Sequence, residues 1–153
     1  MRSRVATALL LLVVVSVSAP AQGKPIEWLS YPEGLAQADS SGNPLLVKVY
    51  TKSCAFCKKL ERRVLSRGDV REIIDRGYTP VSLDAEDNTP VARIKDRTLT
   101  SRDLAAAYGA KAYPTCLILR PDGQLITRLV GYVPPDSFRT FLTRSLETAA
   151  SQD

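Results

Sequence analysis

Histidine is absent from the 153-residue chain, methionine occurs once, as Met1, and tryptophan once, as Trp28. Cysteine occurs three times, at Cys54, Cys57 and Cys116. Each scarcity narrows the possible functions. A haem attachment motif needs histidine directly after C-x-x-C, and Lys58 stands in that place. A four-ligand zinc site could draw on three thiols and would need a carboxylate to complete it. A copper-delivery module built on a dithiol would find few auxiliary soft ligands. Three cysteines are also too few for a disulfide-dense scaffold, so the fold must rest on packing.

Long apolar runs are missing too. Val5 to Val17 is a run of 13 apolar and small residues, short of the roughly 17 to 25 that cross a bilayer. It follows the basic head Met1-Arg2-Ser3-Arg4 and precedes Ala19-Pro20-Ala21, the pattern expected of a secretory signal peptide over residues 1–21. A soluble, exported domain over 22–153 is the expectation, with no stable membrane insertion. Its 132 residues suit one domain with a sizeable core. Losing Arg2 and Arg4 lowers the formal charge from +5 to +3. The remaining charges alternate in sign, so neither nucleic acid nor an acidic membrane is implied as a partner.

What is present is Lys52-Ser53-Cys54-Ala55-Phe56-Cys57-Lys58-Lys59. At the start of a helix, residues three apart are neighbours on one face, close enough for a disulfide to open and close with little backbone movement. The sulfur nearer the helix start gains most from unpaired N–H groups and the positive end of the dipole, which makes Cys54 the candidate nucleophile and Cys57 the resolving thiol. Lys52, Lys58 and Lys59 add positive charge nearby. A purely structural bridge and a zinc site completed by a carboxylate stay open as other uses of the pair.

In chain order, Ile26, Trp28, Leu29 and Tyr31 form an apolar cluster, Gly34 to Ser40 is helix-compatible, and Ser41-Gly42-Asn43-Pro44 stops it. Leu45 to Tyr50, interrupted only by Lys48, predicts a central strand covered on both faces. A helix is expected from Cys54 to about Ser66, with Phe56, Leu60, Val64 and Leu65 on one side and Lys58, Lys59, Glu61 and Arg62 largely on the other. Val70 to Asp75 predicts a short helix, Tyr78 to Asp84 a strand, and Val91 to Leu99 a small hairpin or irregular insert. Thr100 with Asp103 fits a helix cap ahead of Leu104 to Tyr108. Cys116 to Leu119 and Leu125 to Val130 flank the turn Arg120-Pro121-Asp122-Gly123, and a last helix runs from about Pro135. The sum is an α/β fold with a mixed central sheet flanked by helices.

Cys54-Ala55-Phe56-Cys57 after an apolar strand, Tyr113-Pro114-Thr115 before the hairpin and Gly131 after it resemble the thioredoxin superfamily in order and spacing, over roughly Ile26 to Glu147. The closest likeness is to exported stand-alone members and to the C-terminal domain of membrane thiol:disulfide interchange proteins. The resemblance implies a thioredoxin-like fold with an N-terminal helical extension and a small insert before the cis-proline strand. It also implies that Pro114 is cis and faces the dithiol, that the Tyr113 backbone pairs with an extended substrate, and that Ser53, Ala55, Phe56, Thr115 and Gly131 line the site. Tyr113 is a bulky choice that would narrow the groove. Many members carry an acid where Lys48 stands. A lysine there either snorkels to the sheet edge or tunes the Cys57 thiolate.

Cys116, beside Leu117-Ile118-Leu119, is expected in the core. The implied activity is a periplasmic thiol:disulfide oxidoreductase that reduces client disulfides without a cofactor and is re-reduced by a membrane electron donor. An oxidase or isomerase, or a Cu(I)-binding module, are the other readings.

Overall fold

The computed structural model describes residues 24–94 and 96–151; the expected signal peptide lies outside them. The order is α1 (Tyr31–Ser41), β1 (Leu45–Tyr50), α2 (Ala55–Leu60) running into a wide π-helical turn (Glu61–Leu65), α3 (Gly68–Gly77), β2 (Thr79–Asp84), β3 (Pro90–Ile94), β4 (Arg97–Thr100), α4 (Ser101–Ala107), β5 (Thr115–Leu119), β6 (Leu125–Val130) and α5 (Pro135–Ala150). The main sheet has the order β2-β1-β5-β6, parallel between β1 and β2 and antiparallel in its other pairs, while β3 and β4 form a separate hairpin. The mixed sheet with flanking helices and an N-terminal helix is the expected architecture.

β1 organises the layers because it is covered on both faces. Leu45, Val47 and Val49 join a cluster with Tyr31 and Ala38 of α1, Val81 and Leu83 of β2 and Leu104 of α4. Leu46 points the other way, into a cluster with Leu60, Val64, Ile74, Cys116, Ile118, Phe138 and Leu142. Burying each of these aliphatic side chains is worth about 1.5–3 kcal/mol relative to exposure, which is why a six-residue strand with one charge holds the centre.

Local chemistry sets the helix ends. The Ser30 N–H and hydroxyl both donate to the Glu33 carboxylate, at 3.0 and 2.6 Å, so α1 begins at Tyr31, three residues before the expected Gly34. It stops where Gly42, at φ 73°, donates its N–H to the Ala38 carbonyl at 2.8 Å. Gly34 is required by packing: a Cβ there would run into Val81 of β2. α3 extends beyond the expected Val70 to Asp75 at both ends, its first turn fixed by Arg67 on Asp69 at 3.0 and 3.1 Å. Thr100 caps α4 as expected, its N–H donating to Asp103 at 3.0 Å and its hydroxyl accepting from the Asp103 N–H at 3.2 Å. The segment expected as a hairpin or irregular insert is the hairpin β3–β4.

Two expectations about the helix after the dithiol need correction. Cys54 is its N-cap, with the helix proper starting at Ala55. Phe56 is 60% exposed and does not share the buried stripe of Leu60, Val64 and Leu65.

Candidate active site

The end of β1 delivers the dithiol. Cys54 and Cys57 are disulfide-bonded with Cα atoms 5.3 Å apart. As N-cap, Cys54 accepts the Cys57 N–H on its Sγ at 3.1 Å, and its carbonyl accepts the Lys58 N–H at 3.2 Å. Its sulfur therefore stands among backbone donors at the positive end of the helix, the setting that favours a thiolate. Cys54 is partly exposed, while Cys57 is 5% exposed. Ser53, Ala55 and Phe56 are exposed around the pair.

The sheet register brings the rest of the expected site to the same end. Val49 lies opposite Thr115, and Thr115 lies opposite Val130, so Pro114 and Gly131 flank the strand end from which the dithiol loop departs. The Tyr113–Pro114 peptide bond is cis. Gly131, at φ 84°, donates its N–H to the Pro114 carbonyl at 2.7 Å. No atom crowds the place of its missing side chain, so the left-handed backbone alone calls for glycine. The Thr115 hydroxyl donates to the Ala112 carbonyl at 2.7 Å, tying down the approach to the proline. Tyr113 is half-buried against the α1 and α4 side of the sheet.

Lys48 does not snorkel to a sheet edge. It lies on an inner strand, is 8% exposed, and its Nζ pairs with Glu61 while sitting 4.0 Å from the centroid of the Trp28 ring. Trp28, Lys48, Cys57 and Glu61 line one cavity of about 340 Å³. Glu61 and Trp28 escaped the sequence reading as partners of Lys48. Glu61 was grouped with the outward charges of its helix, although its place four residues after Cys57 already put it on the cysteine's face.

Cys116 sits opposite Lys48 in the β1–β5 register and is 3% exposed, in the core as expected. Burial pushes its thiol up to about 12; the Lys48 charge acts against that rise and the Glu61 charge adds to it, both to a smaller extent.

The thioredoxin-like domain family model matches residues 31–145. Among solved structures, a putative disulphide-isomerase from Bacteroides thetaiotaomicron is 27% identical with TM-score 0.66, over 84% of this chain and 98% of that one. A thioredoxin from Thermus thermophilus is 24% identical with TM-score 0.69, over 85% and 95%. The oxidised C-terminal domain of DsbD from Neisseria meningitidis is 21% identical with TM-score 0.57, over 74% and 90%.

The burial of Cys116 makes a direct prediction. In the reduced protein at neutral pH, iodoacetamide should modify Cys54 rapidly and Cys116 only after denaturation; rapid labelling of native Cys116 would contradict its placement. A thiol raised to about 12 in the folded state, against about 8.5 unfolded, contributes stability that is complete below about 8.5 and is lost as pH rises toward 12. Urea unfolding should therefore show a steeper alkaline loss of stability in the wild type than in Cys116→Ala.

Proposed function

The chain belongs to the thioredoxin-like domain family, a family of thiol:disulfide oxidoreductases, and from that premise we propose that it is an exported reductase of protein disulfides, working in the periplasm. The observation that best supports dithiol exchange is the asymmetry of the pair: a partly exposed sulfur at a helix N-cap beside one that is buried. The Cys54 thiolate attacks one sulfur of a client disulfide, forming a Cys54–client mixed disulfide and releasing the other client sulfur as a thiolate. Cys57, deprotonated, then attacks the Cys54 sulfur. The client leaves with both sulfurs reduced, and the Cys54–Cys57 disulfide carries the two lost electrons' worth of oxidation. A dithiol on a membrane electron donor reverses that last bond by the same exchange chemistry. Tyr113, Pro114 and Gly131 frame the groove in which an extended client segment lies against the Tyr113 backbone.

The resemblance puts Lys48 where many family members carry an acid, and we assign it a tuning role through Glu61. A buried ammonium beside Cys57 favours the thiolate, and Glu61 tempers that charge. Export rests on the basic head and short apolar run of residues 1–21.

The protein comprising residues 22–153 should reduce a protein disulfide when supplied with dithiothreitol. Cys54→Ser should abolish the activity and Cys116→Ser should largely keep it; equal loss in both would refute the assignment. Against glutathione, the couple should lie nearer about −270 mV than about −120 mV, and a value above about −150 mV would favour an oxidase.

The two members of the buried pair should act in opposite directions. Lys48→Met, which leaves Glu61 beside Cys57, should raise the Cys57 thiol pKa and move the potential downward by about 30 mV, a tenfold change in the exchange equilibrium. Glu61→Gln should lower the thiol pKa and move the potential upward. Thiolate absorbance titration with a glutathione equilibrium measures both, and unchanged values in both variants would reduce the pair to scaffold.

A further inference from the structure

The outward face of the helix that follows the dithiol is cationic without compensation. Lys58 and Lys59 lie on α2 and Arg62 and Arg63 on the π-helical turn that continues it, four residues further on. All four side chains belong to exposed residues. Lys58, Arg62 and Arg63 have no ion-pair partner among the described residues, and Lys59 rests its Nζ 4.4 Å from the Tyr132 ring centroid, a contact that leaves its charge in place.

Most acids around this face are engaged elsewhere. Glu61 is the single acid between residues 55 and 65, and it turns inward to Lys48. Asp69 is held by Arg67 at 3.0 Å and approached by Arg139 at 3.6 Å, and Glu72 pairs with Arg76 at 2.6 Å. On the other side of the dithiol, Asp84 pairs with Lys52 at 3.6 Å, and Asp87 accepts the Thr89 hydroxyl at 2.7 Å. Glu86 is exposed on the loop after β2. Four like charges on a short exposed helical face oppose one another, and the usual solvated face would intersperse acids. This face begins one residue after Cys57.

We propose that the Lys58, Lys59, Arg62 and Arg63 face is a docking surface for disulfides flanked by acidic residues, so that clients bearing Asp or Glu beside the scissile cystine are selected over neutral or basic ones. The inference rests on the dithiol exchange proposed above and adds the charge of its substrate. The physical basis is complementarity. Cations beside the reacting sulfur raise the local concentration of an anionic segment and speed encounter, whereas they repel a basic segment. The covalent exchange itself is unchanged.

Three synthetic peptides with the same intramolecular disulfide, flanked by Glu, Ser or Lys, test this on the reduced protein of residues 22–153 by stopped-flow measurement of peptide reduction. At about 20 mM ionic strength the Glu-flanked peptide should react about tenfold faster than the Lys-flanked one. The ratio should fall toward about twofold at about 0.5 M salt, where the screening length is only a few ångströms. In R62E/R63E, where two positive charges are balanced by two negative ones, the ratio should fall to about one at low salt; taking the ratio cancels any change in thiolate reactivity. A salt-independent ratio near one in the wild type, or the same ratio in wild type and variant, overturns the docking surface while leaving the exchange chemistry intact. Failure to reduce even the Ser-flanked peptide overturns the exchange reading and this inference with it. The wild-type salt dependence stands even if the charge-reversed variant does not fold.

Discussion

The antiparallel register between β1 and β5 is the constraint on which the rest of the site depends. Val49 opposite Thr115 sets the end of β1, from which the dithiol loop leaves, beside the start of β5, where the cis Tyr113–Pro114 bond enters the sheet. A shift of one residue would turn every side chain of β1 to the other face. Leu45, Val47 and Val49 would then leave the cluster they share with α1, and Lys48 would enter it. The core therefore enforces the register, and the register places the chemistry. Gly131 completes the frame from β6 by donating to the Pro114 carbonyl at 2.7 Å.

Within that frame the electrostatics divide into two layers. Beneath Cys57 a lysine and a glutamate neutralise each other in a cavity shared with Trp28. Outside, Lys58 and Lys59 of α2 and Arg62 and Arg63 of the π-helical turn carry positive charge with no such balance among the described residues. The role proposed for the inner layer is on the protonation of a buried sulfur, where opposite charges count for more than at the surface. The outer layer acts on what approaches, through a field that salt screens.

Much of this was legible in the sequence because the features carrying it are short-range. The buried strand, the C-x-x-C at its end, the Thr100 cap with Asp103 and the Pro121-Asp122-Gly123 turn each announce themselves within a few residues. The misplacements have physical causes. The start of α1 depends on the Glu33 carboxylate reaching back to Ser30, which an apolar pattern does not register. Phe56 fits either the helical stripe or the lining of the site in the sequence, and its 60% exposure takes it off the buried stripe. Glu61 looked like a surface charge because only the third dimension sets Lys48 of the neighbouring strand beneath it, at the point where the helix widens into a π turn. Local spacing could order the elements, but it could not pair two charges 13 residues apart.

The central claim is that Cys54 attacks and Cys57 resolves, a division of labour that follows from an N-cap position on one side and burial on the other. The most direct measurement is to mix the reduced Cys57→Ser variant with an oxidised protein disulfide, quench with acid, and locate the covalent adduct by peptide mapping under non-reducing conditions. The account predicts a stable mixed disulfide on Cys54. An adduct on Cys116, or no adduct while Cys54 remains a free thiol, would contradict it.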